Sequence, residues 1–208
     1  GLKTIKRHHI IHSDLKPENI LRVNTESSKI KIVDFGSSRF DNQPFAAYIQ
    51  SRYYRAPEVI LRLPHSYPID MWSLGCVAAE LFVGLPIFPG NNEAQMMLYI
   101  TERLGPFPES LIEKSPVKNA YFNENGNVRS EQDICQRLHQ PLPSEPDRYA
   151  FFKYSIYSSL SDIVRNYGLF QQSTEKEFKN KELFLDLLLK MLIRDPEKRI
   201  TPEEALDH

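Results

Sequence analysis

The polar octapeptide HSDLKPEN at residues 12–19 is the feature that most constrains the fold, because it lies between an apolar pair and a β-branched run. Residues 20–23 and 29–33 are two short runs of this kind, and the polar stretch between them predicts a small β-hairpin. Asp34 follows the second run directly. We therefore expect the hairpin to bring the side chains of the octapeptide and Asp34 to one cleft.

The side chains of residues 12–19 and Asp34 suit phosphoryl transfer. Asp14 can accept a hydroxyl proton and orient the nucleophile, and Lys16 can neutralise charge that develops on the transferred phosphoryl group. Magnesium prefers oxygen ligands, which Asn19 and Asp34 supply. The two segments therefore predict a catalytic loop and a magnesium site that face each other.

Away from this region the sequence predicts a helical protein. Residues 70–83 are apolar on nearly all sides and are followed by Gly84, which predicts a buried helix with a C-terminal stop. Residues 92–104 are amphipathic, and residues 181–192 form another apolar run of helical length. Residues 201–204 (TPEE) carry a capping pattern that predicts a further helix start.

Two long stretches lack a helical period. Residues 34–58 contain Gly, Pro, Ser and Asn, and we predict a long ordered loop with a functional role. Residues 106–148 contain six prolines and little periodicity, which predicts an irregular insert. We take residues 106–180 as the full insert region.

Composition excludes several classes of partner. The chain has 208 residues with 41% hydrophobic content, which is enough for one domain with a core. Its net charge of −1 gives no global attraction to nucleic acid or to an anionic membrane. No apolar run reaches the length of a membrane span, and two cysteines give no disulfide framework. We therefore expect an intracellular protein, cytoplasmic or nuclear, without nucleic-acid or membrane partners.

The motifs HSDLKPEN, DFG, APE, DMWSLG and DPEKRIT occur in the order and at the spacing of eukaryotic protein kinases, and the chain resembles the C-terminal lobe of that family. The segments DFGSS, YIQSRYYRAPEVIL and IDMWSLGCVAAEL resemble the DYRK family of the CMGC group. The segment FFKYSIYSSLSDIVRNYGL resembles its Yak branch, and HIPK and Prp-type kinases are alternatives. The resemblance implies a mainly α-helical lobe with a small hairpin over residues 1–208, with a CMGC-type insert and without the N-terminal lobe.

The resemblance also implies ATP and Mg²⁺ as cofactors and roles for residues near them. Leu21 would form the floor under the adenine ring, beside Val33. His12 and Phe35 would belong to a hydrophobic spine, which Asp70 would anchor at the start of the buried helix.

Two further contacts follow from the resemblance. Glu58 would pair with Arg199 in the interior, where loss of one partner leaves a lone buried charge. Ser51 would contact the catalytic aspartate, which favours Ser/Thr protein substrates.

Substrate preference is also implied by the resemblance. Backbone strain at Gln50, together with Arg52, predicts a preference for proline after the phosphoacceptor. Glu18 and Glu80 match positions that meet basic substrate residues in related kinases, so an upstream arginine is a further expectation.

Tyr48 is the candidate for regulatory phosphorylation. Arg52 and Arg55 follow it by four and seven residues, and two guanidiniums could bind the roughly −1.5 to −2 charges of a phosphate. In DYRK-type kinases this tyrosine is autophosphorylated. Ser13 replaces the arginine that usually precedes the catalytic aspartate, and Ala46 excludes a second phosphotyrosine in the loop.

The eight glycines of the chain allow no Gly-rich phosphate loop, and no strand carries the lysine that accompanies it. We therefore expect a longer kinase to supply an N-terminal lobe, and the 208 residues alone to catalyse little and expose apolar surface. The main hypothesis is a serine/threonine, or dual-specificity, protein kinase. The alternative is a truncated, inactive lobe that acts as a scaffold or decoy. A small-molecule kinase is disfavoured by residues 51–58 and 70–75.

Overall fold

The computed structural model describes residues 1–44, 49–143, 157–166 and 174–208. These residues are mainly α-helical, as predicted. The helices, in chain order, are α1 (Leu2–Arg7), α2 (Pro57–Ile60), α3 (Pro68–Val83), α4 (Glu93–Leu104), α5 (Glu109–Lys114), α6 (Lys118–Tyr121), α7 (Glu131–Arg137), α8 (Leu160–Asn166), α9 (Glu175–Met191) and α10 (Pro202–Leu206). Within the same residues, none of the helices has both the length and the apolar character needed to cross a bilayer.

The strands form two small antiparallel sheets within the described residues. They are β1 (Ile10–Ile11), β2 (Ile20–Arg22), β3 (Ile30–Ile32) and β4 (Arg39–Phe40), and two 3₁₀ turns cover Pro17–Asn19 and Arg52–Tyr54.

The predicted hairpin is present as β2 and β3, in which Ile20 pairs with Ile32. One further bond, from the backbone N–H of Val33 to the carbonyl oxygen of Asn19 at 3.0 Å, continues the pairing past the strands. The hairpin therefore sets Asp34, the next residue, beside the 3₁₀ turn that ends the catalytic loop.

The second sheet was not predicted. Strand β1 pairs with β4 so that Ile10 lies opposite Phe40 and Ile11 lies opposite Arg39. The prediction of a long loop at 34–58 is therefore wrong at β4, which is a strand of two residues. So short a strand shows no alternation, and its pairing depends on residues far away in the chain.

Helix α3 forms the centre of the core. Trp72 is fully buried and stacks on Phe88, with ring centroids 5.6 Å apart. Gly75 allows close packing against the end of α9, because a Cβ there would lie 2.9 Å from Leu192 Cδ2. Gly84 ends the helix in a left-handed conformation, with φ of 88°, as the sequence predicted.

The prediction of an irregular insert is wrong for residues 106–143, where α5, α6 and α7 lie. These helices have four to seven residues, too few for a clear periodic pattern. Residues 144–156 and 167–173 lie outside the described part of the chain. Helix α9 begins after Thr174, earlier than the predicted start at 181, because a capping box with Glu177 starts the helix in a polar stretch.

Glu58 and Arg199 form a fully buried ion pair between α2 and the loop that precedes α10. The two bonds are 2.7 and 2.9 Å long, and both side chains have 0% exposure. Arg199 also donates to the carbonyl oxygens of Pro68 and Ile193, both at 2.8 Å, and its guanidinium lies over the Trp72 ring. The pair thus ties the end of the chain to α2 and α3.

We predict that Glu58→Gln lowers the free energy of unfolding by about 3–5 kcal/mol, because it leaves Arg199 buried without a counter-charge. Urea denaturation followed by circular dichroism measures this. The control is Glu182→Gln, which breaks the exposed pair with Arg165 and should cost no more than about 1 kcal/mol. Equal losses in the two variants would contradict the prediction.

Candidate active site

Asp70 holds the backbone of the catalytic loop in place through two hydrogen bonds. Its two carboxylate oxygens accept the backbone N–H groups of His12 at 2.7 Å and Ser13 at 2.9 Å. Asp70 lies in the first turn of α3 and is only 3% exposed. Ser13 adopts a left-handed conformation, with φ of 66°, and the bond to Asp70 helps hold this strained backbone in place.

The ring of His12 joins the catalytic loop to the hairpin. The backbone N–H of Asp14 donates to Nδ1 at 3.3 Å, so the ring proton belongs on Nε2, which donates to the carbonyl oxygen of Val33 at 3.0 Å. Phe35 packs edge-on against the ring, with centroids 5.1 Å apart. The spine contact between His12 and Phe35 that the resemblance implied is therefore present.

Asp14 lies between a lysine and a serine. Lys16 Nζ donates to Asp14 Oδ2 at 2.8 Å, while the hydroxyl and the backbone N–H of Ser51 donate to Oδ1 at 2.7 and 3.0 Å. Partial burial raises the pKa of Asp14, but the hydrogen bonds from Lys16 and Ser51 outweigh burial and lower the pKa below its ordinary value. The carboxylate is therefore ionised at neutral pH and can accept a proton.

Asn19 and Asp34 fit the ligand set of a magnesium ion. Asn19 Nδ2 donates to the carbonyl oxygen of Asp14 at 2.9 Å, which leaves the side-chain oxygen as the metal-binding atom. Asp34 is exposed, and its Oδ1 accepts the backbone N–H of Gly36 at 3.2 Å. A carboxylate and an amide oxygen are ligands that Mg²⁺ prefers.

The structure brings Asp14, Asn19 and Asp34 to one cleft, as the sequence predicted. The hairpin aligns Asn19 with the residue before Asp34, and the amide of Asn19 reaches the loop at Asp14. The bond to Asp14 raises the pKa of Lys16, and the nearby carboxylates of Glu18 and Asp34 raise it further. The lysine is therefore charged and is held among three carboxylates.

Apolar side chains on and beside the hairpin are exposed. Leu21 is half exposed on β2, and Val33 follows β3. The exposed fractions of the large side chains here are 49% for Leu21, 49% for Val23, 58% for Ile30 and 43% for Phe35. The expected exposed apolar surface is therefore present at the hairpin, and the role of Leu21 and Val33 as an adenine floor stays a prediction.

Gln50 holds the strained backbone that the resemblance implied. Its φ is 65°, in the left-handed region. Its side-chain amide donates to Ile69 O at 3.0 Å and Ser73 Oγ at 2.8 Å, and its side-chain oxygen accepts the N–H of Ala56 at 2.9 Å. These three buried bonds determine the strained conformation.

Arg55 lies in the interior, at 1% exposure. Its guanidinium donates to the carbonyl oxygens of Ile49 and Gln50 at 3.0 and 2.9 Å. The remaining nitrogen donates to Glu93 Oε1 at 2.9 Å. Arg55 thus links the backbone next to Ser51 to the start of α4.

The sequence assigned Arg52 and Arg55 to a phosphate on Tyr48, which lies outside the described residues. Arg52 lies in the second 3₁₀ turn and is half-buried. The carboxylate partner of Arg55 was missed, since Glu93 sits in the first turn of α4, where an acidic residue is common in any helix. Only the three-dimensional packing identifies Glu93 as part of the site.

A further acidic residue, Glu80, lies on α3. The Tyr54 hydroxyl donates to Glu80 Oε2 at 2.7 Å. Burial raises the pKa of Glu80; the Tyr54 bond lowers it, and the negative charge of Glu18 raises it again. Glu18 and Glu80, which the resemblance assigned to basic substrate residues, are therefore close enough to interact.

A family model described as "Protein kinase domain" matches residues 1–208. The chain belongs to the protein kinase family. It is 39% identical over 234 residues to "Probable serine/threonine-protein kinase yakA" of Dictyostelium discoideum. The aligned region covers 100% of this chain and 16% of that protein. The chain is 36% identical over 207 residues to "Dual specificity tyrosine-phosphorylation-regulated kinase 4" of Homo sapiens, with 100% and 35% coverage.

The kinase is also 35% identical over 225 residues to "Dual specificity protein kinase YAK1" of Saccharomyces cerevisiae, with 100% of this chain and 27% of that protein covered. The resemblance to DYRK and Yak kinases is therefore confirmed. The chain spans between about a sixth and a third of the length of these three relatives. Protein kinases in general use ATP and Mg²⁺.

We predict that the backbone of the catalytic loop becomes less ordered when Asp70 is protonated, so that its order depends on pH. Burial raises the pKa of Asp70 to about 6, although its two N–H donors act in the opposite direction. Protonation turns one carboxylate oxygen into a hydroxyl, which is a much poorer acceptor, so the backbone N–H bonded to it is held more weakly. Hydrogen–deuterium exchange at His12 and Ser13, corrected for intrinsic rates, should therefore become faster as the pH falls below about 6.

The variant Asp70→Asn should show this fast exchange already at neutral pH, because an amide has one acceptor oxygen. Asp133→Asn, on the surface of α7, is the control. Because folding raises the pKa of Asp70, the folded protein binds this proton more readily than the unfolded chain does, so its contribution to the global free energy of unfolding is present at low pH and is lost as the pH rises through about 6. The loosening expected at low pH is therefore local to His12 and Ser13 and is not a loss of global stability. Unchanged protection of both amides across this range would refute the prediction.

Proposed function

We propose that the polypeptide carrying this chain is a serine/threonine protein kinase of the dual-specificity DYRK type, which transfers the γ-phosphate of Mg-ATP to protein hydroxyls. The contact set around Asp14 carries the proposal. An ionised carboxylate, a charged lysine and two oxygen ligands for magnesium are the groups that phosphoryl transfer needs. Their convergence on one cleft supports the assignment.

The bond from Ser51 to Asp14 indicates how a substrate hydroxyl would be oriented. Ser51 Oγ donates to Asp14 at 2.7 Å, and a substrate serine or threonine has the same donor group. Asp14 would hold the attacking oxygen and take its proton as the bond to the leaving ADP breaks. Lys16 Nζ lies 3.2 Å from the Ser51 hydroxyl and would neutralise the charge on the transferred phosphoryl group. Asn19 and Asp34 would hold magnesium, which neutralises phosphate charge when bound.

A preference for proline after the phosphoacceptor follows from the backbone at Gln50. Its carbonyl oxygen accepts a bond from Arg55 at 2.9 Å and is turned toward the interior. That oxygen cannot also serve as partner for the N–H of the substrate residue that follows the acceptor. Proline has no backbone N–H that could be left without a partner, so a substrate with proline at this position loses the least binding free energy.

An upstream basic residue is a further proposed determinant. Glu18 and Glu80 place two carboxyl groups near each other, and burial together with Glu18 raises the pKa of Glu80. A substrate guanidinium would relieve this repulsion and satisfy both carboxylates.

We also propose that autophosphorylation of Tyr48 holds the loop in its active conformation. Arg55 donates to the carbonyl oxygen of Ile49, the residue that follows Tyr48 in the sequence, so its positive charge lies close to that segment. Arg52, four residues after Tyr48, supplies a second guanidinium. These positive charges would attract a phosphate.

The alternative proposal is a catalytically inactive lobe that acts as scaffold or decoy. It is supported by the exposed apolar side chains at the hairpin. Its partner would bind this apolar surface rather than receive phosphate.

We predict that the full-length gene product, with Mg-ATP, phosphorylates a peptide that contains Ser-Pro. Asp14→Asn should lower kcat by about 10²-fold or more, because the group that orients the hydroxyl is lost. Radiolabel transfer measures both, and Asp186→Asn on the surface of α9 is the control. A Ser-Ala peptide should show a lower kcat/KM than Ser-Pro. Equal rates for wild type and Asp14→Asn would favour the scaffold.

Mass spectrometry of the active protein should find phosphate on Tyr48, and Asp14→Asn made in bacteria should lack it, because the modification is autocatalytic. Tyr48→Phe should lower the kcat/KM for the Ser-Pro peptide. A fully active protein with unmodified Tyr48 would rule out this form of regulation.

A further inference from the structure

Glu93 is a buried residue that connects residues 49–51, which lie next to Asp14, with the insert. It is 5% exposed, and its carboxylate accepts one bond from Arg55 at 2.9 Å and two from Arg62 at 3.2 and 2.7 Å. The Tyr121 hydroxyl, at the end of α6, donates a fourth bond at 3.2 Å. A carboxylate has about four acceptor sites, so Tyr121 completes the set and fixes its orientation.

Arg55 transmits this orientation to the catalytic loop. On the side away from Glu93, its guanidinium holds the carbonyl oxygens of Ile49 and Gln50 at 3.0 and 2.9 Å. The next backbone N–H, from Ser51, donates to Asp14 at 3.0 Å. A continuous set of hydrogen bonds therefore runs from α6 through Glu93 to residues 49–51.

Helix α7 of the insert is docked on the turn of α4 that carries Glu93. Glu131 of α7 accepts bonds from Asn92 at 2.9 Å and Gln95 at 3.0 Å, on either side of Glu93 in the sequence. Ser115, which follows α5, donates to the carbonyl oxygen of Leu61 at 2.9 Å. The insert is therefore attached to the start of α4 through α7 and to Leu61 through Ser115, and α6 lies between these two attachment points in the sequence.

We propose that Tyr121 is a positioning residue for substrate selection. Its hydroxyl holds Glu93, Glu93 holds Arg55, and Arg55 keeps the Gln50 carbonyl turned away from the substrate. The insert would thereby set how strongly the kinase prefers proline after the phosphoacceptor. This inference rests on the proposed function, since it concerns the substrate selected at the same site.

The hydroxyl of Tyr121 can be tested apart from its ring. The ring is 1% exposed and belongs to the main hydrophobic cluster, so Tyr121→Phe keeps the packing and removes only the donor. Tyr67→Phe is a matched control, because the Tyr67 hydroxyl also donates to a carboxylate, that of Asp41, which pairs with His9 and lies outside the hydrogen-bond chain of Glu93 and Arg55.

The experiment compares kcat/KM of the full-length gene product for Ser-Pro and Ser-Ala peptides. In Tyr121→Phe the ratio of the two values should fall by about threefold to tenfold, the effect of losing one hydrogen bond. The KM for ATP and the thermal midpoint should stay near the wild-type values. Tyr67→Phe should leave the ratio unchanged. An unchanged ratio in Tyr121→Phe, or an equal loss with both peptides, would overturn the proposal.

Hydrogen–deuterium exchange of residues 49–51 separates this proposal from the proposed function. If the wild type phosphorylates neither peptide, the proposed function fails, and exchange then decides whether the coupling exists. Faster exchange of this segment in Tyr121→Phe but not in Tyr67→Phe supports the coupling. Equal exchange in the two variants removes it.

Discussion

The two bonds from the carboxylate of Asp70 to the backbone of His12 and Ser13 are the constraint on which the site depends. They join the first turn of the most deeply buried helix, α3, to the loop that carries the catalytic aspartate. From there the ring of His12 reaches Val33, and the hairpin continues to Asp34. One buried carboxylate therefore helps to determine how Asp14 and Asp34, the proposed general base and magnesium ligand, lie relative to each other.

Residues whose role is set by local sequence could be predicted. The hairpin, the buried helix α3 and the helix start after Thr201 follow from short-range patterns. Asp14, Asn19 and Asp34 could be assigned because phosphoryl transfer needs these groups in a strict order. The ion pair of Glu58 and Arg199 came from family resemblance, since nothing local connects residues so far apart in the chain.

Features that depend on distant contacts could not be predicted. Strand β4 pairs over two residues, and the insert helices are too short to show a period. Glu93 looks like an ordinary helix-start residue until Arg55 and Tyr121 are seen to converge on it. The buried amide of Gln50 is a similar case, because two of its three partners lie in α3 and the third is the backbone of Ala56.

Gly75 illustrates how such packing affects the interpretation of mutational data. A Cβ at this position would lie 2.9 Å from Leu192 and 3.0 Å from Met191, so even alanine would force α3 and the end of α9 apart. The displaced segment leads to the loop of Arg199. A screen that scores only enzymatic output would therefore rank residue 75 with the catalytic positions, although it touches no reacting group. Abundance measured alongside turnover would distinguish the two kinds of position.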